Sequence, residues 1–511
     1  MYNFCMPLFT DRERTFFSAI SKLAFCNPFL PDRMEYERQA LQRHFVQSGL
    51  VWSASVTTPD ASAPNVVRVH QRLESLIPEV HRRLDAGGVA DPDELAMYLD
   101  CAQYLLYQRY YFDFARAAAA KGGTGNWRFY KKFAEDWEHF FRISGEMLAG
   151  TPEPAHVFAC FRQFQLAFEL IFNNIIGNSM PAARLRASAW QSVFTHDLRR
   201  YHRVLFARLH DFPTLITGPS GTGKELVARA IAGSRYVPFD PQNVRFAEAT
   251  GETFLPVNLA ALSPALIESE LFGHKRGSFT GAVSDRQGWL ETCPPSGSVF
   301  LDELGEMEVS IQVKLLRVIE SRRFSMVGDT AVRVFAGKLI AATNRDLAVD
   351  IRAGRFREDL YFRLCADQIQ TPSLGEQIAD SPSVLNDLVL FMVRRAVGDD
   401  AEQCFPEVRD WIAQNLDAGY AWPGNYRELE QCVRNVIIRK SYQPVVHRES
   451  DADPVLGRLK RGELTLDELT SYYAALVYRK TSSYEETARR LKIDRRTVKA
   501  KVEAFLEKTA I

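Results

Sequence analysis

The order of apolar and polar positions shows two ways of burying surface along this chain. Up to about residue 190, apolar residues recur at spacings of three and four, the period of helices with one buried stripe. Phe129, Phe133, Trp137 and Phe140 form one such stripe, expected in a core rather than around a ligand. Phe158 to Ile176 is the most apolar stretch. It contains Arg162, Gln163, Gln165, Glu169 and two asparagines, whereas a bilayer span needs ~20 nearly uncharged residues, so it reads as a buried amphipathic helix. No strands alternate around an acidic pocket here, so a phosphate-receiver domain is not expected. Gly122 to Gly125 reads as a loop between helices, because no lysine follows it in register.

From about Val193 the period changes to short β-like runs alternating with helices. Pro213–Thr217, Phe254–Asn258, Ser298–Asp302 and Lys338–Thr343 are each short, apolar and followed by a helical segment, the pattern of a parallel α/β sheet. After about residue 370 the strands stop, and helical segments near 382–397, 406–417 and 425–440 predict a small lid. Residues 443–462 mix proline, glycine and charges, as linkers do. The expected domains are therefore 1–190 (helical, regulatory or sensory), 191–370 (α/β), 371–442 (lid) and 463–511 (a helical, locally basic tail).

Composition narrows the function. With 63 lysines and arginines against 63 aspartates and glutamates, the chain is not a basic wrapper of nucleic acid, so any DNA-binding surface must be local. The eight cysteines are scattered and none shows CxxC spacing, which argues against zinc and disulfides and fits a reducing cytosol. The first residues lack a basic segment followed by an apolar run, so no signal peptide is expected and the location is read as cytoplasmic.

Three motifs carry the chemistry. Gly218 to Lys224 (GPSGTGK) fits GxxxxGK between a predicted strand and a helix, the setting of a phosphate loop. Its backbone N–H groups would cradle phosphates, and Lys224 would reach the β and γ phosphates of ATP or GTP. Val299 to Glu303 is an apolar strand ending in two carboxylates, and between the two motifs lies Glu270 to Ala282, ELFGHKRGSFTGA. In this order they resemble the AAA+ ATPase domain of bacterial enhancer-binding proteins, the activators of sigma-54 RNA polymerase. The resemblance runs from roughly Val193 to the C-terminus.

The resemblance implies a role for each matching residue. Gly218, Pro219, Ser220, Gly221, Thr222, Gly223, Lys224 and Glu225 would bind ATP. Glu225 stands where most phosphate loops have a magnesium-binding hydroxyl, as is common in this family, so Mg2+ would rely on the phosphates, waters and Asp302. Glu303 would activate the attacking water as general base. Asn258 would hold that glutamate in an inactive pose, and Thr343 and Asn344 match sensor I. Arg357 and Arg363, in GRFREDLYFRL, match arginine fingers that act in a neighbour's site, which implies a ring, expected to be a hexamer. Arg427, in WPGNYRELE, matches sensor II. Gly277, Ser278, Phe279, Thr280, Gly281 and Ala282 would touch sigma-54, with Ser278 where the family has alanine. Between Ile369 and Val384 the family's basic run is replaced by TPSLGEQIADSP.

The tail, SYEETARRLKIDRRTVKAKVEAFL from Ser483, predicts a helix over about 485–491, a turn at Lys492 and Ile493, and a second helix capped by Asp494. Ala488, Leu491, Ile493, Val498 and Val502 would pack the two together. This resembles a Fis-type helix-turn-helix, with Arg495, Arg496, Thr497, Lys499, Ala500 and Lys501 near the DNA and residues 463–480 dimerising the tail. The reading is a multi-domain activator that binds double-stranded DNA upstream of promoters and remodels the sigma-54 polymerase with ATP and Mg2+. Its N-terminal domain would answer a signal or protein partner. The rival reading is a DNA-binding regulator that uses ATP only to set its oligomeric state.

Overall fold

The computed structural model describes residues 8–47, 64–87, 91–119, 126–148, 150–247, 254–279, 281–417, 419–444, 462 and 464–509. Thr280, most of the linker expected at 443–462 and the Gly122–Gly125 loop lie outside the described residues. The chain divides into two compact units, Met1–Tyr442 and Gln443–Ile511.

The first unit begins with seven helices: α1 (Asp11–Phe25), α2 (Asp32–Leu41), α3 (Pro64–Asp85), α4 (Pro92–Ala119), α5 (Tyr130–Phe141), α6 (Pro154–Asn174) and α7 (Met180–Phe194). Thr10 starts α1 with a reciprocal capping box to Glu13. Glu13 also pairs with Arg83 of α3 at 2.8 Å, and that guanidinium holds its carboxyl down at about 2. The predicted aromatic stripe is core: Phe133, Trp137 and Phe140 are buried, and the Phe133 ring lies 5.2 Å from that of Phe158 on α6.

Five parallel strands follow: β1 (Thr214–Thr217), β2 (Phe254–Asn258), β3 (Ser298–Asp302), β4 (Lys338–Thr343) and β5 (Gln368–Gln370), in the order β5-β1-β4-β3-β2. Four were predicted; β5 was not. Between them run α8 (Lys224–Gly233), α9 (Pro264–Phe272), α10 (Val309–Ser321), α11 (Leu347–Arg352) and α12 (Glu358–Leu364). β4 is buried at all six positions, as expected of a central parallel strand. One sheet face packs Ile216, Phe300 and Ile340 against Val227 and Ile231 of α8, but also against Ala167, Phe168, Ile171 and Phe172 of α6 and Trp190 and Phe194 of α7. The other face packs Leu215, Leu301 and Ala341 against α9, α10 and α12. The domain boundary expected after residue 190 therefore falls inside α7, and α6 and α7 belong to the cover of the sheet.

The lid is α13 (Leu374–Asp380), α14 (Ser383–Val397), α15 (Ala401–Asn415) and α16 (Asn425–Arg439), around Leu374, Leu388, Val408, Trp422, Leu429 and Val433. The run that departs from the family pattern makes α13. Ser373 and Glu376 form a capping box there, and buried Gln377 donates to the Tyr426 hydroxyl of α16.

The second unit holds α17 (Leu466–Thr481), α18 (Tyr484–Leu491) and α19 (Arg495–Thr509), packed around Ala474, Val498 and Val502. Lys492 takes the left-handed conformation that ends α18, and Asp494 accepts from the N–H groups of Arg496 and Thr497 at 2.8 and 3.0 Å. Ile493, expected to pack between these helices, is 40% exposed; its place in the turn points it outward.

Among the described residues no helix is long and apolar enough to cross a membrane. The seven described cysteines are all free. Phe133→Ala should lower stability by about 3–5 kcal/mol, the usual cost of deleting a buried aromatic ring. Thermal unfolding followed by circular dichroism checks this, and an unchanged midpoint would take the stripe out of the core.

Candidate functional site

The phosphate loop leaves β1 with Gly218 at φ 141°, Gly221 at 76° and Gly223 at 85°, backbone shapes that side chains rarely adopt. Two of these glycines are pinned by neighbours. A Cβ on Gly218 would sit 2.2 Å from the Thr371 hydroxyl just after β5, and one on Gly221 would sit 2.3 Å from the Gly424 carbonyl of the lid. The lid also grips the loop through hydrogen bonds. Tyr426 N–H donates to the Gly221 carbonyl at 3.0 Å, the Asn425 amide to the Ser220 carbonyl at 2.9 Å, and Arg427 to the Ser220 hydroxyl at 3.3 Å. Thr222 donates to the Pro219 carbonyl at 2.8 Å.

Lys224 opens α8, and its ammonium donates to the Gly218 and Pro219 carbonyls at 2.9 Å each. Burial lowers its pKa, while Glu303 and Asp302 pull the other way. Burial raises the pKa of Asp302, opposed by the Glu303 N–H and by Lys224. Each charge is thus under-solvated, and a metal-bound triphosphate would offer each the opposite charge. Among the described residues no group of three or more His, Cys, Asp or Glu could hold a metal ion alone. A cation here would share Asp302 and Glu303 with ligand phosphates. Glu303 itself holds φ 55°, an uncommon conformation for a side-chain-bearing residue at the end of a strand.

Loop and carboxylates share one cleft of about 480 Å3 with Arg427. Its other wall is apolar: Ile175, Ile176 and Leu185 from the α6–α7 corner, and Leu388, Met392 and Val433 from the lid. The sequence reading missed this wall. The corner is held by Arg186, fully buried on α7, which donates to the carbonyls of Ile175 and Gly177 at 2.9 Å each. The signal available in the sequence was Ile175 to Ser179 (IIGNS), a glycine turn and a serine N-cap before a Pro-started helix.

Other candidates lie around this cleft. Asn258 pairs in register with Asp302 across β2 and β3, and its side-chain oxygen accepts from Ala260 N–H at 3.0 Å. Thr343 ends β4 beside Thr217, buried, and Asn344 after it is exposed. Arg357 pairs with Asp359 at 2.6 Å and Arg363 with Glu320 at 3.2 Å, and neither lines the cleft of its own chain.

The Gly277–Ala282 loop stands on a two-residue ladder of Gly273–His274 with Arg286–Gln287. Gly277 N–H donates to the Ala282 carbonyl at 2.9 Å, and Lys275 pairs with Asp285 at 2.6 Å. Phe279 is 37% exposed, with its ring 4.9 Å from that of His274. Ser278 packs on Gly328, and its buried hydroxyl has no hydrogen-bond partner among the described residues. In the second unit Arg495, Arg496, Thr497, Lys499 and Ala500 are exposed. Lys501 is not among them, because it is half-buried and ion-paired with Asp467 of α17.

Lys224→Ala should abolish ATP binding measured by calorimetry, whereas ordinary affinity would sink the phosphate-loop assignment. Gly221→Ala should weaken it at least about tenfold, since the clash and the strained φ together exceed ~1.4 kcal/mol.

Residues 194–370 match the model described as Sigma-54 interaction domain. The "Transcriptional regulatory protein ZraR" of Escherichia coli (strain K12) is 36% identical over 295 residues, covering 56% of this chain and 62% of its own length. The "Nif-specific regulatory protein" of Enterobacter agglomerans is 40% identical over 229 residues, covering 45% of this chain and 40% of its own length. The crystal structure of NtrX from Brucella abortus aligns at 22% identity with a TM-score of 0.38, covering 73% of this chain and 79% of that one. The chain thus spans less than two thirds of the length of the first curated relatives it matches. Residues 194–370 are thus what this chain has in common with sigma-54 interaction domains.

Proposed function

We propose that this chain is an ATP-driven activator of sigma-54 RNA polymerase. The observation that carries the reading is the single cleft in which phosphate loop, paired carboxylates and a lid arginine meet, in a chain that also presents an exposed Phe279 on a separate two-stranded ladder. ATP binds with its phosphates on Gly218–Glu225, and Asp302 would hold a Mg2+ that neutralises phosphate charge. Glu303 draws the proton from the attacking water, with Asn258, Thr343 and Asn344 reporting the state of the γ phosphate. Arg427 brings the lid onto the nucleotide.

Arg357 and Arg363 complete the site of the next subunit in a ring, a hexamer in this reading. Neither lines the cleft of its own chain, which is consistent with action in trans. Turnover moves the Gly277–Ala282 loop, which carries Phe279 and Thr280 in its sequence, against sigma-54 and opens the promoter. Residues 463–511 form a Fis-type helix-turn-helix that dimerises and holds upstream DNA in the cytoplasm through Arg495, Arg496, Thr497 and Lys499. Lys501, tied to Asp467, contributes to the packing of the tail instead. The N-terminal helices regulate the ATPase in response to a signal.

Arg363→Ala should bind ATP normally yet lose at least about a hundredfold in turnover, the order expected for an arginine finger. Unchanged steady-state hydrolysis would remove it from that role. The deciding experiment is ATP-dependent open-complex formation on a supercoiled sigma-54 promoter, wild type beside Thr280→Ala. The wild type should open the promoter while the variant hydrolyses ATP without opening it. A wild type that hydrolyses ATP and never opens the promoter would overturn the activator reading.

A further inference from the structure

A second cavity, of about 120 Å3, lies between α1, α4, α6 and α7, on the N-terminal side of the chain. Tyr107, Phe161, Phe164, Phe168 and Trp190 line it, and so does His202, which follows α7. His202 is 6% exposed, and neither of its ring nitrogens has a hydrogen-bond partner among the described residues. That is costly: a buried polar group without a partner loses its hydration and gains nothing back. The ring is fixed by aromatic contacts, with Phe164 at 5.0 Å and Tyr201 at 6.4 Å. The cavity therefore presents a largely aromatic wall, edged by Gln103 and Gln108, with the imidazole of His202 set into it.

We propose that this cavity binds a small uncharged molecule of a single ring, with one hydrogen-bonding group set against the His202 imidazole. Size allows no more than a single ring, because the cavity of about 120 Å3 is smaller than the ~150 Å3 apolar cavity that takes benzene, and a substituent on the ring must reach toward its open side. Aromatic lining selects a flat apolar body. Burial pushes His202 down to about 3, so its imidazole stays neutral and offers one donor and one acceptor. Charge on the ligand would find no counter-charge, since the lining residues Arg33 and Asp100 are already paired with Glu37 and Arg199. The location gives the site its interest. Helix α6 carries Phe161, Phe164 and Phe168 to this cavity and ends at Asn174 in the nucleotide cleft, roughly 9 Å further along its axis at 1.5 Å per residue. Helix α7 likewise puts Trp190 in one and Leu185 in the other.

The inference stands apart from the activator reading, because binding is measured without ATP, DNA or polymerase. The full chain is titrated with benzyl alcohol, and with toluene as the same ring without a hydroxyl, by saturation-transfer NMR. Wild type should bind benzyl alcohol. His202→Phe keeps a flat ring and has no polar atom, so it should weaken benzyl alcohol at least about tenfold while sparing toluene. Ala24→Phe, which fills the cavity from α1, should abolish both. Circular dichroism identifies a variant that fails to fold, and the other variant then decides. Absence of benzyl alcohol binding by wild type overturns the proposal, and so does wild-type affinity in either folded variant.

Discussion

A guanidinium sealed in the interior fixes the corner on which the rest of this molecule depends. Arg186 is fully buried, and burial lowers its pKa only to about 10, so it stays charged at neutral pH. A buried cation is tolerated where acceptors are held for it, and its removal leaves those acceptors stranded. Here they are the carbonyls of Ile175 and Gly177, at the turn between α6 and α7. That turn faces two ways. Ile175 and Ile176 form the apolar wall of the nucleotide cleft, while a Cβ on Gly177 would come within 3.1 Å of Gln377, which itself holds Tyr426 of the lid. One charge thus sets the spacing between the N-terminal helices, the sheet and the lid.

The phosphate loop is shaped by the same economy of space. Thr371 meets it at Gly218 and Gly424 meets it at Gly221, both closer than any side chain allows. Its shape is therefore decided by two elements that follow it by more than 150 residues, and its fit to a triphosphate depends on how the lid is seated. The Gly277–Ala282 loop is held more lightly. An exposed ion pair such as Lys275 with Asp285 is screened by solvent and holds weakly, and the half-exposed ring of Phe279 leans on His274 alone among the described aromatic rings. Rigid cleft and loosely held loop are what a device needs if nucleotide chemistry is to move one part and not the other.

Much of this was legible in the sequence, and the exceptions have physical causes. Strands β1, β3 and β4 announced themselves as apolar runs because central parallel strands are buried on both faces, while β2, at the sheet edge with only Val257 buried, was readable from its short apolar run. β5 was not, since it is three residues long and only Ile369 points inward. The phosphate loop and Asp302–Glu303 were readable from spacing alone. The Ile175–Gly177 wall was not, because an isoleucine lining a cleft looks the same in sequence as one in a core. Lys501 was misplaced for a similar reason. Its charge counts toward a basic helix, but its position on α19 turns it to Asp467, and only the packing of three helices reveals that. Helices α6 and α7 were assigned to a separate domain because their period is helical, and period carries no information about what a helix covers.

That last point bears on how this architecture is inherited. Ala167, Phe168, Ile171 and Phe172 of α6 close over Ile216, Ile231, Phe300 and Ile340 of the sheet and its first helix. Chains cut at residue 175 or later would bare that apolar face to water, and the exposed patch would drive aggregation before any change in regulation could be read. The N-terminal segment is therefore not an exchangeable cartridge plugged into a finished α/β domain. Its last two helices are part of that domain's cover, and recombination that swaps the earlier helices must leave α6 and α7 behind or bring a replacement for them.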